Sequence, residues 1–273
     1  MRMKNLLLGI TALLLAGAIA ALWWFDSHFE EPDAQWVESV AGDVEARSVL
    51  AVFAHPDDEQ LVTGLLIRAR ERDDAITRIV TFTRGEAGTP MPQISRPEDL
   101  GTIRHAELLK NGYALGVSEQ GVLEYPDGGL VDADFEEYAT VLSEYIVRWQ
   151  PDLVVTFWPE SGYTGHADHM MVGRVATEVV RRLQADDPET APRAIAYVLA
   201  PRQMMSRFGG EVGARVAANQ PEPTHAMPGE GWAKIRGWEI HASQADFVRE
   251  VYGFPPWFLH RIHDKEHYRV EQF

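Results

Sequence analysis

The run His55-Pro56-Asp57-Asp58-Glu59 gathers one imidazole and three carboxylates within five residues, directly behind the apolar stretch Val49-Leu50-Ala51-Val52-Phe53. Those residue types can hold a divalent metal and move a proton beside it, which is the chemistry of a metal-dependent active site. A run of β-branched and aromatic residues that stops abruptly at titratable groups reads as a buried strand, and open α/β sheets bind ligands at the C-terminal ends of their strands. Pro56 pushes His55 toward extended backbone. From Gln60 to Arg72 the apolar residues Leu61, Val62, Leu65, Leu66 and Ala69 fall on one helical face, which places the run on a strand-to-helix turn. Helix capping would account for one aspartate and for Glu59. It gives no reason for His55 or for the second aspartate.

A second group lies behind another apolar stretch, Leu153 to Phe157, in the segment Gly165-His166-Ala167-Asp168-His169. A helix beginning near Asp168 would hold His169 on its first turn and leave His166 in the glycine-rich approach. Both groups then sit at strand ends on one edge of a sheet, where two loops can converge on one crevice.

The elements that must position them alternate. Strands are expected near 49–53, 76–82, 153–157 and 195–199, with helices near 60–72, 100–111, 135–149 and 168–180. The aromatic stripe Phe135, Tyr138, Leu142, Tyr145, Ile146 and Trp149 reads as core. Such alternation predicts an α/β fold, a Rossmann-like and mainly parallel sheet with helices on both faces. The expected organisation is an N-terminal membrane anchor over 1–25, a linker over 26–47, a catalytic α/β domain over 48–200, an insertion or lid over 201–235 and a C-terminal part of the catalytic domain over 236–273. The lid expectation rests on Gly209-Gly210, Pro221, Pro223 and Pro228.

The chain is 273 residues long and 45% hydrophobic, enough for one sizeable core. Leu6 to Phe25 carries no charged residue, follows Arg2 and Lys4, and ends in Trp23-Trp24-Phe25, the pattern of a transmembrane helix with an interfacial aromatic belt. The basic residues ahead of it place the N-terminus in the cytoplasm and the catalytic domain on the periplasmic or extracellular side. A cleaved signal peptide, with Ala18-Ile19-Ala20 at its cleavage site, would instead yield a secreted protein. Setting Arg2 and Lys4 aside takes the formal net charge from −16 to −18, which repels phosphate backbones and excludes nucleic acid as a partner. With no cysteine in the chain, disulfides and thiolate metal ligands are excluded as well.

Taken together, Ala54 to Glu59, Thr83-Arg84-Gly85-Glu86-Ala87-Gly88, Arg104 with Glu107, Leu115-Gly116-Val117, Tyr125-Pro126-Asp127-Gly128-Gly129, Gly165 to His169 and His241-Ala242-Ser243-Gln244 resemble the PIG-L or LmbE-like de-N-acetylases. These use zinc to remove acetyl groups from N-acetylglucosamine-type amides. By motif position the resemblance implies His55, Asp58 and His169 as metal ligands and Asp57 as general base. It also implies His166 as general acid or oxyanion stabiliser, oriented by Asp168, with Arg104 and Asp127 holding the sugar. The family usually carries proline at Ala167 and often arginine at Ala242; neither change removes a group the chemistry needs. The implied substrate is an N-acetylated amino sugar, free or linked to lipid or glycan.

Three protein ligands leave one position open on zinc, where a bound water falls to a pKa of about 7 and becomes a usable nucleophile. Asp57 could take its proton, and His166 could stabilise the oxyanion and protonate the leaving amine. Tyr163 is a further oxyanion candidate, and iron or cobalt would also suit this ligand set. For Arg104 and Asp127 a structural ion pair and a turn aspartate are equally good readings. In the tail, His263 and His267 share a helical face but lack the glutamate of a His-Glu-x-x-His site, and the mixed charge there suggests a solvated or membrane-proximal surface. Two other functions fit parts of the pattern: an iron-dependent oxygenase built on a facial triad, and a membrane-tethered carbohydrate-binding module without turnover.

Overall fold

The computed structural model describes residues 2–273. Met1, the first residue of the expected anchor, lies outside the described residues. In chain order the helices are α1 (Arg2–Asp26), α2 (Val40–Asp43), α3 (Thr63–Glu71), α4 (Leu100–Leu115), α5 (Phe135–Trp149), α6 (Gly162–Gly165), α7 (Ala167–Asp186), α8 (Arg202–Phe208), α9 (Gly210–Ala218), α10 (Gly231–Ile240), α11 (Phe247–Tyr252) and α12 (Pro256–Ile262). The strands are β1 (Gln35–Trp36), β2 (Ser48–Phe53), β3 (Ile76–Thr83), β4 (Glu119–Tyr125), β5 (Leu153–Phe157), β6 (Ala194–Leu199), β7 (His225–Pro228) and β8 (Lys265–Gln272).

All eight strands form one sheet in the order β1-β7-β8-β6-β5-β2-β3-β4. From β6 to β4 every pairing is parallel. Every residue of β5 and β6 is buried, as are all but Ser48 in β2, because helices cover the sheet and leave no solvated face to demand alternation. Helices α3 and α4 contact each other, as do α5 and α7. Right-handed crossovers place those two pairs on opposite faces, since the chain steps from β2 toward β4 and then returns through β5 to β6. The reversal falls between β2 and β5, whose pairing runs from Val49↔Leu153 to Ala51↔Val155. That is the switch point where a crevice opens beyond the strand ends.

Strand β8 departs from the expected parallel pattern. It runs antiparallel to both β6 and β7. The stretch 201–235, expected to be an insertion or lid, holds α8, α9, β7 and the start of α10, and β7 is an interior strand of the sheet. Likewise the expected linker contributes β1, which pairs with β7 in the register Gln35↔His225. Proline and glycine punctuate these segments without removing them from the core. A backbone partner was available in β8, and the sequence around Pro221 to Pro228 does not reveal it.

Candidate metal centre and crevice

His55 leaves the end of β2 and His169 sits on the first turn of α7, so the two buried rings meet across the switch point. His55 Nδ1 lies 3.1 Å from His169 Nε2. Asp58 joins them, with Oδ2 3.6 Å from His55 Nδ1 and Oδ1 3.3 Å from His169 Nε2. Ligand bonds of about 2.0–2.1 Å in a tetrahedral site imply ligand-to-ligand edges of about 3.3 Å; the edge between the two rings is close to this, and Asp58 meets each ring through a different carboxylate oxygen.

The outward-facing nitrogens of both rings are held by acceptors. His55 Nε2 donates to Asp127 Oδ1 at 2.9 Å, with Asp168 Oδ2 at 3.4 Å. His169 Nδ1 donates to the Gly162 carbonyl at 2.9 Å, and its ring stacks on Phe157 at 4.1 Å. Each neutral ring therefore carries its proton outward and turns a lone pair toward the other, an arrangement that demands a cation between them. The residues fit a metal. From the side chains alone a proton fills that demand. Burial lowers the His55 pKa, but hydrogen bonds to Asp127 and Asp168 and the Asp58 charge outweigh it and raise the ring to about 10. Burial raises Asp58 to about 7 against the His55 charge. Burial and the His55 charge hold His169 well below the ordinary imidazole range.

Asp127 and Asp168 therefore serve His55. Asp127, expected to hold the sugar, lines the crevice, and its Oδ1 accepts from His55 while Oδ2 accepts from the Ala87 amide at 3.0 Å. Burial would raise its pKa, but the His55 hydrogen bond lowers it to about 2. Asp168 was expected to orient His166. Its carboxylate accepts from the Gly128 and Leu130 amides at 2.7 and 3.2 Å. It is the Asp168 backbone N–H that donates to His166 Nδ1, at 3.2 Å. His166 is exposed, its Nε2 carries the proton in the neutral ring, and burial of the ring nitrogens with the His55 charge depresses its pKa. Its ring reaches within 4.8 Å of ligand atoms on His55 and His169.

Asp57 stands off the triangle at φ 99°, a backbone conformation costly for any residue but glycine. Arg104 holds its side chain, with one guanidinium nitrogen 3.2 Å from Asp57 Oδ2 and hydrogen bonds to the Pro56 and Gly85 carbonyls. Glu59 holds its backbone: Oε2 accepts the Asp57 N–H at 2.9 Å. Glu59 is buried, and its Oε1 accepts from Asn111 at 2.6 Å and from His241 Nε2 at 2.5 Å. Burial raises the Asp57 pKa, partly offset by Arg104. Sequence reasoning left Glu59 without a specific role and His241 as one residue of a motif. Their pairing spans 182 residues, and no local pattern signals it.

Arg104, Asp127, Tyr163 and His166 line, with Asp57 and the ligand triangle, a crevice of about 610 Å³ closed on its other side by Trp238, Phe247 and Val248. Tyr163 sits within α6 at φ 63°. The tail histidines stand apart. Contrary to the helical face expected for them, α12 ends at Ile262, His263 follows it, and His267 is on β8. Both are drawn inward rather than solvated, and burial lowers their pKa values, His267 to about 4. Among the described residues they join no group of potential metal ligands.

The fold and these side chains define an open α/β domain with a buried cluster of histidines and aspartates at its switch point that could hold a metal ion. Residues 50–180, which hold His55, Asp58 and His169, match the PIG-L family model, described as GlcNAc-PI de-N-acetylase. A 1D-myo-inositol 2-acetamido-2-deoxy-alpha-D-glucopyranoside deacetylase of Mycobacterium sp. (strain KMS) is 37% identical over 162 residues, 52% of this chain and 52% of that protein. The one from Kineococcus radiotolerans is 29% identical over 250 residues, 72% of this chain and 69% of the relative. The chain thus spans about half the length of the first of these relatives. Among solved structures, N,N'-diacetylchitobiose deacetylase from Pyrococcus horikoshii has a TM-score of 0.54 at 21% identity, covering 85% of this chain and 86% of its own. The 4-carboxy-2-hydroxymuconate hydratase GalB from Pseudomonas putida has a TM-score of 0.62 at 17% identity, covering 82% and 95%. Both likenesses concern the fold.

Proposed function

We propose that this chain is a metal-dependent deacetylase that hydrolyses the acetamide of an N-acetylglucosamine-type sugar. The observation that carries the reading is the lone-pair-lined triangle of His55, Asp58 and His169 with Asp57 held outside it by Arg104. The family domain and the curated relatives support the acetamide as the bond cleaved, which fold alone would not, since a hydratase shares it.

Bound in that triangle, zinc, or iron or cobalt in its place, would supply Lewis-acid polarisation of the amide carbonyl and acidify a water. Asp57 accepts the water's proton, its carboxyl kept basic by burial and aimed by Arg104. His166, neutral and protonated on Nε2, donates toward the oxyanion from the crevice rim and gives that proton to the leaving amine as the proton taken from water by Asp57 replaces it, so that one proton is transferred overall and the ring stays neutral. Tyr163 faces the same space. Asp127 and Asp168 fix the His55 ring, the role outer carboxylates play in histidine metal sites. The crevice wall of Trp238, Phe247 and Val248 offers apolar surface to the sugar or to whatever it is linked to. In this reading α1 anchors the chain, with the domain on the non-cytoplasmic side.

An acetate-release assay against a panel of N-acetylglucosaminides, with metal analysis of the same sample, tests the proposal. Asp57→Ala and His166→Ala should keep the metal and lose about 10²–10⁴-fold in acetate release. Full activity in both variants would sink it, as would turnover of an alkene by hydration without any acetate.

A further inference from the structure

The last turn of α1 does not stand clear of the domain. Phe25 packs edge-on against Phe254 at 5.3 Å between ring centroids, and Trp24 against Phe208 at 6.4 Å. Phe254 continues to Phe258 at 5.0 Å, and Trp257 meets Phe258 at 5.8 Å. The result is a collar of aromatic rings around the helix exit that stays open to the outside: Trp24 is 52% exposed, Phe208 50%, Phe254 36% and Trp257 56%. Large apolar side chains clustered in this way mark a contact surface.

Depth decides what covers it. Among the described residues α1 is the one helix long and apolar enough to cross a membrane. At about 1.5 Å per residue, its uncharged stretch from Leu6 to Phe25 matches a hydrocarbon core of about 30 Å. If that stretch spans, Trp24 and Phe25 lie at the interface, and side chains in contact with them lie there too. Aromatic rings favour that depth. The carboxylates Asp26, Glu30 and Glu31 at the exit are offset by Lys265, which pairs with Glu30, so the local charge makes no case for anionic lipid as the attraction.

We propose that the collar of Trp24, Phe208, Phe254 and Trp257 is a second membrane contact, seated in the bilayer interface beside α1. It fixes the orientation of the domain rather than merely tethering it. Helix α11 links the two ends of the arrangement, because Phe247 and Val248 wall the crevice while Val248 packs with Phe25 and Phe29. The crevice is thereby held beside the lipid surface. The inference depends on α1 spanning the bilayer and not on the reaction.

The absence of cysteine makes a direct test clean. Single-cysteine variants Phe208→Cys, Trp257→Cys and, as reference, Tyr113→Cys are labelled with an environment-sensitive fluorophore in the full chain. Tyr113, 85% exposed near the far end of α4, lies away from the crevice. In phosphatidylcholine nanodiscs containing lipid spin-labelled near the headgroup, quenching at positions 208 and 257 should exceed that at 113 several-fold and persist in high salt. Equal quenching at all three sites, or none at 208 and 257, overturns the proposal. Loss of α1 by cleavage in the mature protein does so as well. Because no turnover is measured, either failure leaves the assigned reaction untouched.

Discussion

In the proposed metal centre, His55 is the residue where metal and proton would compete. Its ring is raised to about 10 by Asp127, Asp168 and Asp58 against its own burial, while a metal ligand must be neutral at Nδ1. Metal uptake at pH 8 should therefore release about one proton, read as a buffer-dependent enthalpy in titration calorimetry. Buffer-independent enthalpies would refute the protonated ring. The same shift sets a stability profile. Because the folded-state pKa lies above the ordinary 6.5, charged His55 stabilises the metal-free fold fully below about pH 6.5, and that contribution is lost as pH rises toward 10. Thermal melts of chelated protein should show Tm falling between pH 7 and 10, a decline the metal-loaded protein does not share. In the outer shell, Asp127→Asn should weaken metal binding about 10–100-fold.

Glu59 makes a separable prediction at the same scale. It accepts the N–H of Asp57 at a strained φ of 99°, and its charge is matched by His241. Glu59→Gln should lower kcat, toward the roughly 10²-fold that a 1 Å misplacement costs, with metal content and KM held. An unchanged kcat would show that Arg104 alone positions the base. The two ligand-bearing motifs were legible in the sequence because their residue types announce chemistry. Glu59 with His241, and Asp127 with His55, were not, because each pairing exists only after distant segments fold together.

At the scale of elements, the site depends on how closely α7 approaches β5. A Cβ on Gly173 would stand 2.5 Å from the carbonyl oxygen of Phe157, the residue whose ring supports His169. Gly173→Ala should cost about 1–3 kcal/mol and weaken metal binding together, because the helix that carries His169 must move off the strand. Equilibrium unfolding and metal titration check this; a stability loss with unchanged affinity would separate the contact from the site. Strands β2, β5 and β6 could be read from sequence because full burial makes them continuously apolar. Strand β8, Lys265–Gln272, could not. Its Glu266 is buried by bonds to the first amides of α3, to Tyr268 and to Lys234, so a charged sequence occupies the middle of a sheet. Patterning reports burial of apolar groups and is silent where charges are buried in partnership.

For the whole molecule, the governing asymmetry is a basic, apolar N-terminus joined to a strongly acidic domain. Arg2 and Lys4 precede an uncharged stretch of membrane-spanning length, and everything beyond it carries a net −18. We propose that the positive-inside bias sets the orientation and leaves the acidic domain on the non-cytoplasmic side, since acidic residues exert little pull of their own. The chain should remain in the membrane fraction after a high-pH carbonate wash and leave it only with detergent. In sealed spheroplasts, protease added outside should digest the domain. Replacing Arg2 and Lys4 with glutamate should protect a fraction of the chains by turning their domains inward. Intact-mass measurement of the extracted protein completes the test. A species lacking the first 20 residues would show that Ala18-Ile19-Ala20 is cut and that the apolar stretch serves export alone, whereas full-length mass with outside digestion establishes an anchored enzyme working beyond the cytoplasm.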